Sequence, residues 1–179
     1  EIMSPIFLIG YMGSGKTTLG RGVEARAHIA FIDLDQYIEE RYGKSIKDIF
    51  KERGEDGFRL IERDCIRELS LKKDILVACG GGTPCFFDNM EIMNSRGTTV
   101  WLDASVDILH ARLKEGRSQR PLIADFDDDE LRGFIVKSLE KRNPFYSRAT
   151  HRFGADNLDT VADLEASIDR FVKAFLSTK

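Results

Sequence analysis

Residues 10 to 17 read Gly10-Tyr11-Met12-Gly13-Ser14-Gly15-Lys16-Thr17, a complete G-x-x-x-x-G-K-[ST] pattern. It follows the apolar run Ile6-Phe7-Leu8-Ile9 and precedes a helical stretch, Thr18 to Ala27, which is the strand–turn–helix setting the pattern requires. Glycines at this spacing let the backbone curl so that successive N–H groups point inward. The helix that follows adds its positive N-terminal end. Gly13, Ser14, Gly15, Lys16, Thr17 and Thr18 are therefore candidate ligands of a nucleoside triphosphate. Lys16 reaches the β- and γ-oxygens as a point charge, and the Thr17 hydroxyl is a candidate Mg²⁺ ligand.

Three further groups have residue types suited to chemistry. A second apolar run ends in Asp33-Leu34-Asp35. Strand C-termini in a doubly wound sheet open into the ligand crevice, and strand alternation puts these two carboxylates on one side. One can hold Mg²⁺ while the other takes a proton from an attacking hydroxyl; Asp35 can also cap the helix expected over Gln36 to Tyr42. A third run ends in Gly80-Gly81-Gly82, where the missing side chains leave backbone N–H groups open to a small ligand. Arg59, near a helix start, and Arg142, near a helix end, are candidates for bidentate recognition of a carboxylate. The polar segment Lys114 to Asp125, with Gly116, Arg117, Arg120 and Pro121, reads as a mobile lid over phosphates.

The elements that must position these groups follow from the hydrophobic pattern. Short β-rich runs at Ile6–Ile9, Ala30–Leu34, Ile75–Ala78, Thr99–Leu102 and, more weakly, His151–Phe153 alternate with amphipathic stretches, which predicts an α/β fold with a parallel sheet covered on both faces. Helix starts are signalled at Ser45-x-x-Asp48, at the acidic run Asp127 to Glu130 and at Thr160-x-x-Asp163. With 179 residues and neither repeats nor linker, one domain spanning 1–179 is expected. A net charge of −3 and a pI near 5.7 argue against a nucleic-acid surface. No apolar stretch has the length of a membrane span. No signal-peptide pattern opens the chain, and Glu1 in place of Met reads as a processed or engineered start. Cys65, Cys79 and Cys85 lack metal-ligand spacing; reduced thiols beside a nucleotide site predict a cytoplasmic protein.

Six segments in order make the chain resemble the shikimate kinase family along nearly its whole length. They are Gly10 to Thr17, Asp33-x-Asp35, Gly54-Glu55-x-x-Phe58-Arg59-x-x-Glu62, Gly80-Gly81-Gly82, Arg120-Pro121-Leu122 and Lys141-Arg142-x-Pro144-x-Tyr146. The resemblance implies an adenylate-kinase-like, three-layer P-loop kinase fold. Its five-stranded parallel sheet has order 2-3-1-4-5, with substrate-binding helices over about 35–62 and a lid over about 113–125. It implies ATP with Mg²⁺ as phosphoryl donor, shikimate as acceptor at its 3-hydroxyl, and a monomer with no nucleic-acid or membrane partner. By motif position, Asp35 contacts the ring hydroxyls and acts as base, and Asp33 with Thr17 supports Mg²⁺. Arg59 and Arg142 clamp the substrate carboxylate beside the Gly80–Gly82 backbone. Arg120 closes onto the phosphates, and Arg112 and Pro121 lie near the adenine. After the fifth strand the chain departs from the family pattern: Ala155-Asp156-Asn157-Leu158-Asp159 stands where many relatives carry an arginine, and Asn157 is the candidate there. Competing readings are a gluconate or other small-metabolite kinase on the same scaffold and a nucleotide-binding switch module. The guanine signature Asn-Lys-x-Asp is absent from the sequence.

Overall fold

The computed structural model describes residues 2–176; the two ends of the expected domain, residue 1 and residues 177–179, lie outside the described residues. Five parallel strands form one sheet: β1 (Ile6–Ile9), β2 (Ala30–Asp33), β3 (Ile75–Ala78), β4 (Thr98–Asp103) and β5 (His151–Gly154), in order β2-β3-β1-β4-β5. The central strands β1 and β3 are buried at every position, as expected for strands covered on both faces. Register is fixed by pairs such as Phe7 with Val77 and Leu8 with Val100. Because β1 is flanked by β3 on one side and β4 on the other, its C-terminal end opens at the switch point of the sheet, where a crevice must form.

Seven helices among the described residues cover the sheet: α1 (Lys16–Ala27), α2 (Leu34–Tyr42), α3 (Ile46–Leu69), α4 (Asn89–Arg96), α5 (Val106–Gly116), α6 (Asp128–Tyr146) and α7 (Val161–Phe175). The expected start signals act as caps. Ser45 and Thr160 accept from the amides of Asp48 and Asp163, and Asp127 with Glu130 forms a reciprocal capping box. Helix α3 is broken at Gly54, with φ 68° and ψ −176°, so the stretch that carries Arg59 begins afresh one turn earlier. Pro144 sits inside the last turn of α6, two residues beyond Arg142. No helix among the described residues is long and apolar enough to cross a membrane.

Two expectations need correction. Strand β2 stops at Asp33, and α2 starts at once with Leu34, so Asp35 lies in the first helical turn and strand alternation does not relate the two aspartates. The cap of α2 is Asp33, whose carboxylate accepts from the Gln36 amide at 3.1 Å; Asp35 is left free of that duty. The polar segment after Leu113 is also less loop-like than its composition predicts. Helix α5 continues through Gly116, a tight 3-10 turn covers Arg117–Gln119, and Ile123 is fully buried as an anchor. Asp128 ties this segment to α6 through Lys114 and Arg117, each at 2.8 Å.

Candidate active site

A cavity of about 410 Å³ opens at the C-terminal ends of β1, β2 and β3. The phosphate loop forms one wall, with Met12, Gly13, Gly15, Lys16, Thr17 and Thr18 lining it. Gly15 has φ 97°, a backbone conformation that favours glycine, and a Cβ there would also displace a methyl of Leu158. The Lys16 ammonium donates to the carbonyls of Gly10 (2.6 Å) and Tyr11 (2.9 Å), which holds it over the loop. Burial lowers its pKa to about 8, and the nearby guanidiniums of Arg142 and Arg120 push the same way against Cys79 and Asp35. It is therefore mostly a cation at neutral pH. Ser14, within the loop, is buried, with a hydroxyl that has no hydrogen-bond partner.

Asp33 and Asp35 line the same cavity despite their different elements. Burial is the main cause that lifts the Asp35 pKa to about 6, helped by the like charges of Asp33, Glu62 and Glu39 and opposed by Lys16. Asp35 is nevertheless solvent-exposed, although ringed by protein, and this moderates the burial contribution. A carboxylate poised near neutrality is suited to accept a proton. Asp33 and the Thr17 hydroxyl give the cavity two hard oxygen donors. That small set fits Mg²⁺, which keeps waters and substrate phosphates as its other ligands.

The glycine turn after β3 gathers the remaining candidates. Were a Cβ present on Gly80, it would lie 3.8 Å from Asp35 Oδ1 and 3.7 Å from Glu62 Oε2. On Gly81 it would lie 2.9 Å from Arg142 Nη1, and on Gly82, 2.7 Å from Arg59 Nη2. Neither arginine lines the main cavity; both flank the turn that does. Arg59 is held by Glu62 at 3.0 Å and stacks 4.1 Å from the Phe86 ring centre, while its Nε is buried without a hydrogen-bond partner. Arg142 packs 5.4 Å from the ring of Tyr11.

Arg120 and Arg112 also line the cavity. Arg112 donates to Gly13 O at 3.1 Å, to Ala155 O at 2.8 Å and to both oxygens of Asp159, so it straps the phosphate loop to the segment after β5. The structure does not bring Pro121 or Asn157 into the cavity. Pro121 is exposed, and so is Asn157, whose carbonyl accepts from Ser167 at 2.8 Å. Leu158 and Asp159 face the cavity instead, one and two residues further on. Glu62 was visible only as a motif position. Its spacing of three from Arg59 on one helix was the available signal for an ion pair.

A phosphate cradle that shares one crevice with an aspartate pair and a glycine turn between two arginines is the arrangement of a P-loop kinase acting on a small molecule. The chain belongs to the shikimate kinase family, whose model, Shikimate kinase, matches residues 12–175. It is 52% identical to the shikimate kinase of Phocaeicola vulgatus over 171 residues, covering 96% of this chain and 98% of that one. It is 48% identical to the Bacteroides fragilis shikimate kinase, with 96% of each chain covered. Among solved structures, the shikimate kinase of Bacteroides thetaiotaomicron superposes with a TM-score of 0.92 at 45% identity, covering 97% of this chain and 98% of that one. The Acinetobacter baumannii shikimate kinase in complex with shikimate gives 0.79 at 29% identity, covering 96% and 93%.

Proposed function

We propose that this chain transfers the γ-phosphoryl group of ATP to the 3-hydroxyl of shikimate, giving shikimate 3-phosphate and ADP on the way to chorismate and the aromatic amino acids. The observation that supports this reading most is the convergence of Asp35, Arg59 and Arg142 on Gly80–Gly82, next to the phosphate loop. Two guanidiniums suit one planar carboxylate, and Asp35 suits the hydroxyl to be phosphorylated. The hydroxyl oxygen forms a bond to the γ-phosphorus as the bond to the β–γ bridging oxygen breaks. ADP leaves with that electron pair, and the proton passes to Asp35. Lys16 and Arg120 stabilise charge on the transferred group, and positioning provides much of the remaining acceleration. Mg²⁺, held by Thr17 and Asp33, would neutralise phosphate oxygens when it enters with the nucleotide.

In this reading residues 1–179 act as one domain and as a monomer in the cytoplasm, without nucleic-acid or membrane partners. Residues of about 35–62 bind the acceptor. The segment of about 113–125 is a lid whose Arg120 completes the site and helps to exclude water.

The reading is tested at the arginines. Arg59→Ala or Arg142→Ala removes half of the clamp, an effect of about 2 kcal/mol or more, which is roughly thirtyfold in the acceptor KM. The KM for ATP stays within about twofold if the arginines serve only the acceptor. Equal losses toward both substrates would contradict the assignment. A pH profile gives a second check. Because Asp35 must be ionised to accept the proton, kcat rises with pH through about 6 and then levels off. The absence of an acidic limb near that value would remove Asp35 from the role of base.

A further inference from the structure

Tyr146 is among the largest side chains in the protein with no exposed surface. A phenol hydroxyl in such a place needs a partner, and this one donates to the carbonyl of Gly81 at 2.6 Å. Burial pushes the phenol well above its ordinary pKa, against the opposing charge of Arg142, so it stays protonated and able to donate. Tyr146 follows Arg142 by four residues in α6, so one helical face presents the guanidinium and the hydroxyl a turn apart. Gly81 lies between them: a Cβ on it would fall 2.9 Å from Arg142 Nη1, and its carbonyl accepts from Tyr146. The same glycine abuts the phosphate loop: its Cβ position is 3.5 Å from the Met12 amide and 3.7 Å from the Gly10 carbonyl. Behind the phenol, Trp101 of β4 packs at 5.9 Å and is itself covered by Arg152 at 4.6 Å.

The other end of the turn is built in the same way. Helix α3 delivers Arg59 and, through Glu62, also holds the Thr83 hydroxyl at 2.8 Å. Each arginine thus arrives on a helix that separately pins the glycine turn. We propose that Tyr146 is a positioning residue for the acceptor site, keeping Arg142 and the Gly80–Gly82 backbone in register. This rests on the reading of that turn as the acceptor-binding element.

Tyr146→Phe removes one oxygen and keeps the ring. The expected result is a rise of about tenfold in the KM for shikimate, with kcat and the KM for ATP within twofold. Hydrogen exchange of the Thr83 amide, which bonds to Gly80 O, should quicken at least about tenfold with no ligand present. Trp101→Leu serves as the comparison, because it loosens the packing behind the ring but leaves the hydroxyl. It should lower Tm at least as much while the KM for shikimate stays within twofold. Unchanged exchange in Tyr146→Phe, or an acceptor KM within twofold of the parent, would overturn the proposal. So would an equal KM rise in Trp101→Leu, since the effect would then be loss of packing alone. Faster exchange in the variant of a parent that fails to phosphorylate shikimate would retire the substrate assignment and still support the pin.

Discussion

Asp35→Asn is expected to lower kcat by about two to four orders of magnitude while ATP still binds. The change keeps the shape of the side chain and removes its charge and basicity. Asp35 lies in the first turn of α2 without serving as its cap, so the helix loses no capping bond. Its raised pKa, due first to burial, makes the carboxylate a stronger base than an ordinary aspartate at the same pH. The variant should also lose the acidic limb of the pH profile. Steady-state ADP release together with nucleotide titration separates the two effects. A variant with near-parental kcat would show that the hydroxyl proton leaves by another route.

Lys16→Met is expected to lower kcat by about a hundredfold or more, the magnitude typical of losing one preorganised charge at a reacting centre. The fold should persist, because the ammonium ends over the loop carbonyls and lines the cavity. The two carbonyls that it leaves, on Gly10 and Tyr11, make a modest loss of Tm the expected companion effect. Near-full turnover in this variant would contradict the role of the phosphate loop.

The large-scale architecture was legible because its signals are local and periodic. Central strands such as Ile6–Ile9 and Ile75–Ala78 read as unbroken apolar runs, as strands covered on both faces must. The caps at Ser45, Asp127 and Thr160 were readable because a side chain meets an amide three residues away. Failures began where two elements join without a loop. Asp33 and Asp35 look like one strand end, yet one caps a helix and the other lies inside it. The lid segment misled through its polarity: Lys114 and Glu115 extend a helix whose apolar face is carried by Leu109 and Leu113. Beyond β5 the sequence pointed to Asn157, whereas the path of the loop turns Leu158 and Asp159 toward the cavity. Loop direction over one or two residues depends on distant packing, here on the Arg112 strap, which no local pattern encodes. The bond from Tyr146 to Gly81 spans 65 residues and is hidden from sequence for the same reason.

The central claim is that the site joins a triphosphate cradle to a pocket for a compact hydroxy acid. It is tested most directly by supplying ATP and Mg²⁺ with either shikimate or gluconate and following ADP release. Sustained turnover with shikimate and only background release with gluconate is the predicted result, since gluconate is linear and flexible and matches the fixed base and clamp poorly. Turnover on gluconate with none on shikimate would contradict the account.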